Sequence, residues 1–62
     1  MSLDWQNIRT ALKSDRIINV RGYNWGDPSK GRHYARAMWD GRNWIEVDDE
    51  DQILEYLTDW RA

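Results

Sequence analysis

Between residues 16 and 47 the side chains alternate in character, so that two sets of residues separate. In a strand, successive side chains point to opposite faces. Read that way, the segment puts Asn19, Arg21, Tyr23, Tyr34, Arg36, Met38, Trp44 and Glu46 on one side of a small sheet. Ile18, Val20, Ala35, Ala37, Trp39, Ile45 and Val47 fall on the other side and suit a core. The β-branched run Ile17, Ile18 and Val20 predicts a first strand ending near Tyr23. Residues 33–40 and 43–47 alternate around Asp40, Gly41 and Arg42, and Asp-Gly between apolar runs is a strong hairpin signal.

The flanks follow a different period. Between residues 3 and 13, Trp5, Ile8, Ala11 and Leu12 recur at helical spacing, with Ser2 as N-cap and Asp4 in the first turn, where a carboxylate suits the helix dipole. After the strands, Asp48 stands as a second cap with Asp51 three residues on, and Ile53, Leu54, Leu57 and Trp60 form one stripe. The expected architecture is therefore α+β, a two-layer sandwich of order αβββα, with both helices on one sheet face and the other face open.

Residues 22–32 contain three of the four glycines and the only proline, and so predict an irregular connection. Loops of this length in a small domain are often functional. Tyr23, Trp25, Lys30 and Arg32 give this one both rings and charge.

Composition narrows the function classes. At 62 residues the chain forms one domain, spanning 1–62, and has no cysteine for disulfides or thiolate zinc sites. Five tryptophans supply apolar area to a small core. No apolar run approaches the roughly 18–20 residues that span a bilayer, and the start lacks a signal-peptide layout, so the expectation is a soluble cytoplasmic protein with no membrane contact. Charge is polarised: residues 1–47 carry a net +3 and residues 48–62 a net −5, which together give the formal −2 of the chain.

Chemistry is sparse. His33 is the only histidine, so a nucleophilic triad or a metal site would have to be built on it near a loop, and neither is expected. Residues 26–33 have P-loop glycine spacing, but Arg32 and His33 stand where that motif needs Lys and then Ser or Thr, and a strand follows instead of a helix. The run 48–51 lacks the glycine and distal glutamate of a calcium loop. No enzyme activity, metal or cofactor is expected.

The order helix, three strands, helix over about this length resembles the double-stranded-RNA-binding domain. The likeness implies a fold and nothing more. That family grips phosphates with a lysine-rich start to its second helix, and here Asp48, Asp49, Glu50 and Asp51 occupy that place.

The residues best suited to binding are Arg21, Tyr23, Trp25, Arg32, Tyr34, Arg36 and Trp44 on the sheet and loop, since Trp, Tyr and Arg dominate interface hot spots. Asp49, Glu50 and Glu55 would line an acidic helix face resembling a nucleic-acid backbone. Together they predict a small regulatory or inhibitory module that docks on a larger protein, of the kind phages and mobile elements use against nucleic-acid-handling complexes. A second reading has single-stranded nucleic acid on the sheet, with Tyr34 and Trp44 stacking on bases and Arg21, Arg32 and Arg36 meeting phosphates. A third has the open face forming a homodimer.

Overall fold

The computed structural model describes residues 4–62, apart from the side chains of residues 50 and 51. It is built on strands. β1 (Gln6–Asn7), β2 (Ile18–Tyr23), β3 (Arg32–Trp39), β4 (Trp44–Glu46), β5 (Asp49–Ile53) and β6 (Leu57–Arg61) form a single sheet in the order β1-β6-β2-β3-β4-β5, with every neighbouring pair antiparallel. Among the described residues helical geometry is confined to short 3-10 turns at Ile8–Thr10, Asn24–Gly26 and Pro28–Lys30. No helix among them is long and apolar enough to cross a membrane.

The expected αβββα sandwich is therefore incorrect, and the topological resemblance to the double-stranded-RNA-binding domain goes with it. The first flank fails as a helix because its polar side chains bond locally. Asn7 Oδ1 accepts from the Arg9 amide at 2.9 Å, and the Thr10 hydroxyl donates to the Asn7 carbonyl at 2.7 Å, which holds a single tight turn. Ser2 and Leu3 lie outside the described residues. At the second flank, the stripe of Ile53, Leu54, Leu57 and Trp60 fits a helix on paper. Two strands reversing at Glu55 and Tyr56 bring Leu54, Leu57 and Trp60 to one place equally well, and the backbone groups of β6 then pair with both β1 and β2.

The sheet has to curl. β5 and β6 stand four positions apart in the strand order, about 19 Å in a flat sheet. Only residues 54–56 join them, and the four steps from Ile53 to Leu57 reach roughly 14 Å when fully extended. The curl forms a partly open barrel with edges at β1 and β5. Val20, Ala37, Ile18 and Ala11 are buried inside it, and Ile8, Ala35, Trp44, Leu54, Leu57 and Trp60 pack against them. The indole Nε1 of Trp60 donates to Thr10 Oγ1 at 2.9 Å, tying the first 3-10 turn across the barrel mouth. Gly22 permits the closest approach. A Cβ there would overlap the Tyr56 carbonyl oxygen, so β2 and the 54–56 turn meet backbone to backbone.

The β3–β4 hairpin forms, with one change of register. The Asp40 amide donates to the Asn43 carbonyl at 3.1 Å, and Asp40 Oδ1 accepts from the Arg42 and Asn43 amides. Gly41, at φ +103°, occupies the first of two central positions, where primed hairpin turns need a positive φ. A two-residue loop sets Trp39 opposite Trp44 and Met38 opposite Ile45. The assigned faces required a three-residue loop at 40–42. The one-residue difference moves Trp44 to the core side and Ile45 to the outer side. Trp44 meets Trp39 edge-on at 5.3 Å between ring centroids.

Candidate functional site

Arg21, Tyr23, Arg32, Tyr34 and Arg36, half of the residues expected to bind, lie on the outer face of β6, β2 and β3. Pairing sets Arg21 opposite Tyr34, Asn19 opposite Arg36 and Tyr23 opposite Arg32 on one side. On the other side it sets Asn19 opposite Arg61 and Arg21 opposite Asp59. Trp5, just before β1, lies over this face. Its ring is held between the guanidinium groups of Arg21, at 4.5 Å, and Arg61, at 4.4 Å, with the Tyr34 ring 6.0 Å away and tilted. Tyr34 is 62% exposed.

The arginines are positioned before any partner arrives. Arg21 Nε donates to Asp59 Oδ2 at 2.9 Å, and Arg36 Nη2 donates to Asp48 Oδ1 at 2.6 Å. Arg32 stacks over the Tyr23 ring at 4.8 Å and donates to its hydroxyl at 2.9 Å. The electrostatics follow from these contacts. The Thr58 hydroxyl and then Arg21 hold the Asp59 carboxyl below the ordinary carboxylate range, and Arg36 does the same for Asp48. In return Asp48 raises the Arg36 guanidinium, and the Tyr23 hydroxyl raises that of Arg32. A hollow of about 360 Å³ opens beside Trp5, Asn19, Tyr34, Arg36 and Arg61, and Asp48 also lines it.

The remaining expected residues lie elsewhere. Trp44 is half-buried and packs against the core, so it is withdrawn from the outer face. Asp49 is exposed on β5 and Glu55 sits in the 54–56 turn, and with no helix beneath them they form no stripe. The Glu50 side chain lies outside the described residues. The acidic backbone-mimicking helix is thus overturned along with the fold class. Among the described residues no three His, Asp or Glu side chains converge to hold a metal ion.

Trp25 lies apart from the outer face, in a groove of about 420 Å³ that it shares with Asn24, His33, Ile53, Glu55 and Tyr56. It is 81% exposed. Trp25 (φ +59°) and Tyr56 (φ +61°) are the non-glycine residues with positive φ among the described residues, and both border this groove. A left-handed conformation costs an L-residue about 1–2 kcal/mol. Asn24 holds the loop in place: its amide donates to the Gly31 carbonyl at 2.9 Å and its Nδ2 to the Lys30 carbonyl at 3.0 Å. Its Oδ1 is then left to accept from His33 Nδ1, 3.0 Å away.

Compared with family models, curated proteins and solved structures, the chain matches none.

Sequence reasoning missed Trp5, Arg61 and Tyr56. The alternation of Asp59 and Arg61 about Trp60 was the available signal for the first strip, because it places a charged pair on the side away from a core indole. Nothing in the sequence marks the backbone of Tyr56.

Proposed function

We propose that this chain is a small non-enzymatic regulatory or inhibitory module of the cytoplasm that docks on a larger protein through the outer face of β6, β2 and β3. The observation that supports this reading is the indole of Trp5 clamped between Arg21 and Arg61 beside the exposed Tyr34 ring. Rings and guanidinium groups already held in place lose little side-chain freedom on association, which leaves more of the contact energy for affinity. Charge favours a protein over a nucleic acid. Asp48 and Asp59 lie among Arg21, Arg32, Arg36 and Arg61, so a phosphate backbone would meet both signs, whereas a protein surface can match a mixed pattern.

Affinity capture with the intact chain tests the proposal. Tyr34→Ala and Arg36→Glu should each lose a partner that the parent chain retains, at a cost of about 2 kcal/mol or more for a hot-spot ring, while circular dichroism stays unchanged. Undiminished capture by both variants would refute the assigned surface. Saturable amide shifts over residues 19–36 with mixed single-stranded oligonucleotides at low salt would replace a protein partner by nucleic acid. Concentration-dependent sedimentation abolished by Tyr34→Ala would make the partner a second copy.

A further inference from the structure

The geometry points to a second binding site, independent of the outer face: the groove between the 24–31 loop and the 54–56 turn takes an extended, lysine- or arginine-bearing segment of a partner protein. Its walls are aromatic. Trp25 projects into solvent, and the Tyr56 ring lies against Gly26, with its nearest ring carbon 3.0 Å from where a Cβ would stand. Neither ring belongs to the core cluster. The backbone at both positions is nevertheless held left-handed, by the Asn24 bonds on one side and by the Gly22 contact with Tyr56 on the other. Conformations of this kind concentrate at ligand-binding sites, where the surrounding structure maintains them. Trp25 and Tyr56 are thus two exposed aromatic residues held on one groove outside the core.

Charge and topology define the occupant. Among the described residues lining the groove, Glu55 is the one that carries a charge; the other polar members are Asn24, His33 and Gln52. Aromatic faces attract cations, and an ammonium or guanidinium placed between Trp25 and Tyr56 would also meet the Glu55 carboxylate. The groove runs beside Gln52 and Ile53 of β5, and β5 is an edge strand of the sheet. An edge strand offers unpaired backbone groups to an extended segment. A basic segment in extended form satisfies both features, and a compact anionic ligand satisfies neither.

The probes are an acetylated, amidated nonapeptide of Ala-Thr-Lys repeats and its Ala-Thr-Gln counterpart, titrated into the 15N-labelled full chain. The lysine peptide should give saturable amide shifts at 24–26, 33 and 52–56, with affinity at least tenfold above the glutamine peptide. Glu55→Gln should lower that affinity about tenfold, and Trp25→Gly should abolish saturation while the remaining spectrum stays dispersed. Equal affinity for both peptides would overturn the basic occupant. Shifts centred on Asn19, Tyr34 and Arg36, or no saturation by the lysine peptide at millimolar concentration, would overturn the site. Since the readout is residue-resolved, failure here leaves the outer-face proposal standing, and failure there leaves this one.

Discussion

The outer face of β6, β2 and β3 and the groove beside Tyr56 both display aromatic rings to solvent, but their surroundings treat them differently. On the outer face each ring has a guanidinium or a second ring against it, and Arg21 and Arg36 are themselves ion-paired. In the groove, Trp25 projects outward from a backbone conformation that costs energy. The first surface therefore contributes to the fold while remaining exposed, and the second is maintained at the fold's expense. Substitutions of the exposed indoles should separate them by sign: loss of Trp5 on the outer face lowers stability, and loss of Trp25 in the groove leaves it unaltered or raises it.

The largest effect is expected where the groove is anchored to the sheet. Gly22→Ala would drive a methyl into the Tyr56 carbonyl, and an overpacked backbone contact should cost about 3 kcal/mol, read as a lower urea midpoint. An undiminished midpoint would mean that the 54–56 turn does not rest on β2. Next comes Trp5→Ala, which removes two cation–π contacts and one ring pair and should cost about 2 kcal/mol in the same assay. A loss below the error of the measurement would make the clamp incidental to stability.

Trp25→Gly has the opposite sign. Relief of the left-handed backbone at a residue with little packing to lose should raise stability by about 0.5–1 kcal/mol, and a lower midpoint would show that Trp25 packs in solution. The smallest effect comes from acid. The carboxyls of Asp59, Asp48, Asp40 and Asp27 are all lowered in the folded chain from the ordinary 3.8. Their contribution is present above that value and is lost as pH falls through the lowered folded values, so unfolding should become easier as pH drops below 3.8. Asp59→Asn should flatten part of that slope, and a slope unchanged by the substitution would remove Asp59 from the account.

The legible part of the fold is its centre. The alternation of β2 and β3 was readable because one face is buried, and Val20, Ala35 and Ala37 occupy the positions their period implies. The Asp-Gly turn was readable too, although its loop length was not, and that single residue decided whether Trp44 or Ile45 faced the core. The flanks misled for a physical reason. Leu54, Leu57 and Trp60 satisfy a helical stripe and a strand reversal alike, and only the pairing of β6 between β1 and β2 chooses between them. Tertiary pairing of this kind overrides local period. At the outer face Arg21, Tyr23, Tyr34 and Arg36 were identifiable from alternation and Arg32 from the charge of the 22–32 loop, whereas Trp5 and Arg61 join them only because β1 and β6 are strands.

Everything claimed for the outer face depends on which indole lies on which side of the sheet. Through-space proton contacts of the assigned tryptophan rings measure this without a partner. Trp44 should show contacts to Trp39, and Trp5 should show contacts to Arg21, Arg61 and Tyr34. Contacts from Trp44 to Met38 or Tyr34, with Trp5 packed against Ile8 and Ala11 as on a helix, would contradict the fold and the docking surface together.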